Sequence, residues 1–328
     1  MADLRVGVIG LGSMGRHHVR NVRETPGETL VAVADADGDR YAVAGDLPIL
    51  PDVDALIDAG IDAAIIAVPT ALHADTGVKL AHAGVHVMIE KPLASEVSEG
   101  EALVHAFDEA GLIAAAGYVE RCNPAMREMH KRIAAGELGA IFQISSRRQG
   151  PFPARITDVG VVKDLATHDV DVAQWIGGAR YSSVAAQTAR TSGRQHEDFL
   201  ISTGQLENGV LVNHIVNWFS PFKERVTVVS GEKGTFVADT MNSTLTFFEN
   251  GTKEVEWDQV ANVRGVSVGE VKQYALEVRE PLRVEHEHFV KALNGDTSDI
   301  VPIADALQTL RVVDAMLQSA DTNTTVSL

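Results

Sequence analysis

The pattern of apolar and polar positions changes once along the chain. In the first part, short apolar runs such as "LRVGVI", "TLVAVAD", "AAIIAV", "VHVMIE" and "LIAAAG" recur at intervals of about 30 residues or less. They predict strands at 4–9, 29–35, 62–68, 85–90 and 112–117. Between them, helical periodicity predicts helices at 14–24, 53–59, 71–83 and 98–110. In the last of these, Ser98 and Glu101 have capping-box spacing, and Leu103, Phe107 and Ala110 share a face. Strand and helix in alternation imply a parallel, doubly wound sheet.

After about residue 119 the rhythm becomes two helices, at 123–136 and 161–176, set among long alternating strands. Asn208-Gly209 and Asn250-Gly251 read as hairpin turns, which implies an antiparallel or mixed sheet. Two helices, at 283–294 and 302–319, close the chain. The expected fold class is α/β: a doubly wound parallel domain over 1–119, then an α+β domain over 120–328 with a largely antiparallel open sheet. The second domain is expected to bind substrate and to support a homodimer or homotetramer.

With 45% apolar residues in 328, the chain has material for two cores. Its longest apolar stretches fall short of a membrane span, and the opening segment lacks a basic flank before a long apolar run, so a cytoplasmic, non-membrane protein is expected. The single cysteine, Cys122, excludes an internal disulfide. Lys and Arg total 28 against 45 Asp and Glu, a net charge of −17, which argues against nucleic-acid and anionic-membrane partners.

"VGVIGLGSMG" supplies Gly10, Gly12 and Gly15 as G-x-G-x-x-G, with Ser13 and Met14 inside the turn, after one strand and before a helix. Asp35 ends the next strand twenty residues after Gly15, where an acid binds adenosine ribose hydroxyls. Its charge would repel a 2'-phosphate, so NAD is expected over NADP, although Arg40 lies nearby in sequence. "AVPTALH" places Val68, Pro69, Thr70 and His73 at the cofactor rim, with His73 read as a helix-cap or surface histidine rather than a catalyst. "EKP" then sets Glu90, Lys91 and Pro92 at the end of the 85–90 strand, and Tyr118 ends the last strand of this part.

"VVKDLATHDVD" places Asp164 and His168 four apart, on one face if the segment is α-helical. Such a pair alone is commonly structural. No metal is expected, because Asp169, Asp171, His196, His214, His286 and His288 are scattered rather than spaced as a ligand set.

The glycine fingerprint, the "EKP" motif and the later D-x-x-x-H, in this order, resemble the glucose-fructose oxidoreductase and inositol dehydrogenase family, Gfo/Idh/MocA, over nearly the whole chain. The resemblance implies that Lys91, Asp164 and His168 line the substrate, and that the bond before Pro92 is often cis. It implies NAD-dependent oxidation of a secondary alcohol, with His168 as general base, Lys91 stabilising the developing alkoxide, Asp164 positioning substrate or lysine, and Glu90 holding Lys91 or the cofactor.

"ERCNPAMREM", the "GVV" before Asp164 and "NWFSPFKERVTVVSGEKGTFVAD" are similar to the UDP-N-acetylglucosamine 3-dehydrogenase branch, with Cys122 standing where the branch suggests phenylalanine. A nucleotide sugar needs cations for its diphosphate, and Arg147, Arg148 and Arg155 are candidates, of which at most one of the first two faces a ligand because they alternate along a strand. Glu120 and Asn123 are further substrate candidates, while Trp218 reads as core. The alternatives are an inositol or polyol dehydrogenase, an NAD-dependent glycosidase, and a non-enzymatic NAD-bound sensor or repressor.

Overall fold

In the computed structural model the described residues are 3–153, 159–251 and 267–328. The chain forms two compact units, one of residues 1–122 and 279–311, the other of 123–278 and 312–328. The sequence boundary at 119/120 thus moves by three residues, and the segment 279–311 returns to the first unit. Backbone and packing both explain the return: Ala116 N donates to Val301 O at 2.8 Å, and Phe289, Leu307 and Leu310 are buried in the first unit's cores.

The first unit contains strands β1 (Leu4–Ile9), β2 (Glu28–Ala34), β3 (Ile49–Leu50), β4 (Ala63–Ile66), β5 (His86–Glu90) and β6 (Ala114–Gly117). They are parallel and ordered β3-β2-β1-β4-β5-β6. The helices are α1 (Gly15–Glu24), α2 (Val53–Asp58), α3 (His73–His82) and α4 (Val97–Ala110). Alternate residues of each strand enter different cores. Val8 and Ile65 pack with Val19, Val22 and Phe289, whereas Ile66 and Ile89 pack with Leu80, Leu103, Phe107 and Leu307. Both sheet faces are therefore covered, which is why these strands read as continuous apolar runs.

Two local expectations shift. The capping box of α4 is formed by Glu96 and Glu99, with Glu99 accepting from Glu96 N at 3.2 Å, and not by Ser98 and Glu101. The 71–83 helix divides into a 3₁₀ turn, Thr70–Leu72, and then α3.

The second unit is built on β7 (Ile141–Pro151), β8 (Tyr181–Ala189), β9 (Phe199–Leu206), β10 (Leu211–Asn217), β11 (Phe219–Gly231), β12 (Gly234–Asp239), β13 (Thr244–Gly251), β14 (Ser267–Tyr274) and β15 (Val326–Ser327). Among the described residues they order as β14-β13-β12-β11-β7-β10-β9-β8-β15, antiparallel except where β7 meets β10. Gly209, at φ +89°, makes the expected turn between β9 and β10. Asn250 and Gly251 instead lie on β13, paired with Val268 and Ser267, so the turn that follows falls outside the described residues.

Helices α5 (Pro124–Ala134) and α6 (Thr167–Gly177) belong to the second unit, and α7 (Pro281–Leu293) to the first. The last helix, α8 (Ile303–Thr322), is shared between the units at Arg311/Val312. No described helix is long and apolar enough to cross a membrane.

Candidate active site

In the first unit, β1, β4, β5 and β6 end in register, with Ile9 beside Ile66, Ile66 beside Ile89 and Glu90 beside Gly117. Gly10, Val68, Lys91 and Tyr118 follow these ends, so they line the carboxyl edge of the sheet. The strand order reverses between β1 and β4, the position where open α/β sheets bind ligands.

The glycine loop is sterically specified. Gly10 has φ +90°, and a side chain there would press into the backbone of Ala67 and Val68. A methyl on Gly15 would overlap the Gly10 carbonyl, whereas one on exposed Gly12 would meet nothing within 4 Å among the described residues. Ser13 and Met14 are half-buried in the turn, and Met14, the N-cap of α1, makes no side-chain capping hydrogen bond among the described residues. Packed glycines below, open space at Gly12 and an uncapped helix start fit a dinucleotide diphosphate.

The carboxylate of Asp35 accepts from Leu11 N at 2.6 Å and from Asp37 N at 2.8 Å, tying the glycine loop to the turn after β2. Carboxylate oxygens have further lone pairs, so these bonds leave capacity for ribose hydroxyls. Arg16, which the motif reading passes over, stacks on Tyr41 with its guanidinium carbon 4.4 Å from the ring centroid.

His73 caps the 3₁₀ turn Thr70–Leu72, one of its two sequence readings, but not at the surface. It is 1% exposed rather than a surface residue, with Nδ1 2.9 Å from Pro92 O and Nε2 3.0 Å from Val68 O. It clamps the loop after β4 to the loop after β5, and burial lowers its pKa despite the two carbonyls. Pro69 is exposed and Val68 and Thr70 half-buried, so this rim remains accessible.

Lys91 is half-buried, and the Lys91–Pro92 bond is cis. Glu90 is buried; one carboxylate oxygen accepts from Lys91 N at 3.1 Å and the other lies 2.8 Å from His18 Nε2. Burial works to raise the pKa of Glu90, but the His18 bond, with Lys91 adding to it, brings the carboxyl below its ordinary value. Tyr118 and Glu120 are buried just after β6.

In the second unit, Asp164 and His168 are both buried, but on different kinds of helix. Asp164 lies in a π-helical turn, Val162–Ala166, and His168 in the α-helix that continues it. The widened turn modifies the i, i+4 geometry expected of an unbroken 161–176 helix, and π-turns are frequent at functional sites. Buried Glu197 holds its start, where Val161 N donates to Glu197 O at 2.9 Å and Val162 N to the carboxylate at 3.1 Å. Any side chain on Gly160 would collide with that carboxylate, so the "GVV" segment is shaped by a residue the motif reading does not contain.

Arg148 is 5% exposed, with Nε 2.9 Å from Asp169 Oδ2 on α6. It anchors the helix of His168 to β7 through a buried ion pair, a partner that its reading as a diphosphate candidate did not include. Arg147, on the opposite face, is exposed and lies 3.3 Å from Glu224. Arg155 lies outside the described residues.

Asn123 is the N-cap of α5: it accepts from Ala125 N at 3.0 Å and donates to Thr240 O at 3.2 Å, so its amide serves the fold. Trp218 is a buried core residue, as read. Ser146, His214 and Tyr181 form a buried polar chain, with Ser146 Oγ 2.6 Å from His214 Nδ1 and Tyr181 OH 2.8 Å from Nε2.

Comparison with known proteins agrees with the motifs. Residues 4–118 match the NAD-binding Rossmann-fold domain, and 130–328 the C-terminal alpha/beta domain, of the Gfo/Idh/MocA oxidoreductase family. UDP-N-acetylglucosamine 3-dehydrogenase of Acidithiobacillus ferrooxidans is 31% identical over 97% of this chain and 100% of its own. Its solved structure superposes with a TM-score of 0.85 at 25% identity, covering 98% of this chain and 99% of that one. Scyllo-inositol 2-dehydrogenase (NAD(+)) of Bacillus subtilis is 28% identical over 94% of this chain and 92% of its own. With both domains matched in order, the chain belongs to the Gfo/Idh/MocA family of NAD-binding oxidoreductases and is a dehydrogenase acting on CH–OH groups.

Proposed function

We propose that this enzyme oxidises a secondary hydroxyl of a UDP-N-acetylglucosamine-type nucleotide sugar, at carbon 3, to the ketone, with NAD preferred over NADP. The observation that carries the substrate class is the end-to-end similarity to the Acidithiobacillus enzyme, 97% of one chain and 100% of the other. NAD, when bound, supplies the acceptor for the hydride that leaves the carbinol carbon. Gly10, Gly12 and Gly15 give its diphosphate access to the start of α1, Asp35 receives ribose hydroxyls, and Val68, Pro69, Thr70 and Glu90 complete the rim.

Lys91, Asp164 and His168 take the roles that the oxidation requires. The Lys91 amine donates to the carbinol oxygen and stabilises its developing negative charge. The His168 imidazole accepts the hydroxyl proton, the work for which histidine suits best near neutral pH. Asp164 orients the group being oxidised. Arg155, Glu120 and Tyr118 remain candidates for ligand contact, and the enzyme acts on a small molecule in the cytoplasm. The open sheet face of the second unit exposes Ile201, Leu211, Phe248 and Val271, which supports self-association as a homodimer or homotetramer.

The test is direct. Purified protein is mixed with NAD or NADP and, separately, with UDP-GlcNAc, UDP-GlcNAc uronate, myo-inositol and simple hexoses, while nicotinamide absorbance is followed. Reduction with a UDP-sugar is expected. Reduction with inositol alone overturns the substrate class and establishes the second reading, which one observation favours: Arg148, a proposed diphosphate ligand, is paired with Asp169. Lys91→Ala should keep NAD affinity within a few-fold and lower turnover by roughly a hundredfold or more.

A further inference from the structure

Four titratable side chains from four separate elements form one continuous line in the first unit. Glu90 at the end of β5 lies 2.8 Å from His18 Nε2 on α1. His18 Nδ1 lies 3.0 Å from His286 Nε2 on α7, and His286 Nδ1 lies 3.0 Å from Glu28 Oε2 at the start of β2. All four are buried, both histidines completely.

We propose that Glu90, His18, His286 and Glu28 form a buried proton-transfer chain that sets the charge beside Lys91, with His18, His286 and Glu28 as positioning residues. Proton counting supports it. Each of the three contacts needs one hydrogen, so with no proton outside these contacts the four groups carry three protons and a net charge of −1. In one limit Glu28 holds the carboxyl proton and donates to His286 Nδ1, both imidazoles are neutral with hydrogen on Nε2, and Glu90 is ionised. In the other limit Glu28 has passed its proton to His286 Nδ1, His286 has passed its Nε2 proton to His18 Nδ1, and His18 has passed its Nε2 proton to Glu90. The negative charge then lies at Glu28, and no atom has been gained or lost.

The surroundings favour the first limit. Burial pushes the Glu28 carboxyl up to about 8. Burial also takes His286 well below its ordinary value, with His18 and Arg283 adding to this and Glu90 and Glu280 opposing it. At the other end Glu90 faces Lys91, and His73 from α3 senses its charge. The resting array therefore keeps a carboxylate beside Lys91 and a neutral carboxyl at the far end. The role beside Lys91 rests on the function proposed above; the protonation pattern does not.

Histidine-selective ¹⁵N NMR of the full chain near pH 7 tests the pattern without turnover. Neutral rings protonated on Nε2 are expected at both His18 and His286, and an imidazolium or an Nδ1-protonated ring at either position overturns it. The wild-type spectrum carries this arm even where a variant fails to fold. His286→Gln can accept from Glu28 and donate to His18 but cannot pass a proton. It should bind NAD within a few-fold of wild type, lower kcat about tenfold and alter its pH profile. Wild-type kcat in His286→Gln across pH 6–9 overturns the role. Turnover retained in Lys91→Ala would instead remove the function reading and leave the spectrum unaffected.

Discussion

Arg148 Nε lies 2.9 Å from Asp169 Oδ2, with both side chains almost wholly removed from solvent. Desolvated partners of this kind contribute little net stability as a pair, but removing one strands the other's charge in the interior. Arg148→Met and Asp169→Leu should each destabilise the protein by about 3–5 kcal/mol, and the double variant by clearly less than their sum. Denaturation of the three variants measures this. A rise in KM for a nucleotide sugar in Arg148→Met, with stability unchanged, would make Arg148 a ligand rather than an anchor.

The pH dependence of stability should report Glu28. Its carboxyl ionises at about 4.5 in an unfolded chain and is held to about 8 in the folded one. Between these values the unfolded chain binds fewer protons, so stability associated with Glu28 is full below about 4.5 and is lost as pH rises towards 8, at about 1.4 kcal/mol per unit. Glu28→Gln, a neutral donor at every pH, should flatten that decline. Tm curves of the two proteins that stay parallel from pH 5 to 8 would refute the assignment.

How much of this was readable in advance differs between the two sheets. The parallel sheet was legible because Val8, Ile65 and Ile89 are buried on covered faces and the glycine loop has a fixed spacing. The reach of Glu90 was not, since His18 and His286 stand 268 residues apart in the chain. A trace existed: Gly15, His18, Val19 and Val22 share the buried face of α1, which puts a histidine on an apolar stripe. The π-turn carrying Asp164 depends on Glu197, 35 residues from Val162, and no local periodicity reports such a partner. The pairing of Arg148 with Asp169 was not legible, because an arginine near a ligand motif and an arginine in a buried pair look alike until its partner is known.

His214 should make the second unit acid-sensitive. The ring is fully buried between Ser146 and Tyr181, and burial pushes its pKa from 6.5 to about 4, against the pull of Asp169. The stability from keeping it neutral is present above about 6.5 and is lost as pH falls through 4, a change of roughly 3 kcal/mol in all. His214→Gln keeps a donor and an acceptor but cannot take a proton. Its urea midpoint should therefore fall less than that of wild type between pH 6.5 and 4, and an equal fall would show that other groups drive the acid transition.

The glycine loop separates fold from ligand binding within three positions. A methyl at Gly15 would strike the Gly10 carbonyl, so Gly15→Ala should distort the loop and lower both stability and NAD affinity. A methyl at Gly12 would meet no atom of the described residues within 4 Å, so these give no steric reason to resist it. If that open space is where the diphosphate approaches the backbone, Gly12→Ala should leave Tm within about 1–2 °C of wild type while weakening NAD binding by roughly tenfold or more. Calorimetric titration with NAD alongside thermal unfolding measures both quantities. Wild-type NAD affinity in Gly12→Ala would mean that the cofactor lies elsewhere on the carboxyl edge of the sheet, whereas a large loss of Tm would mean that Gly12 serves the fold.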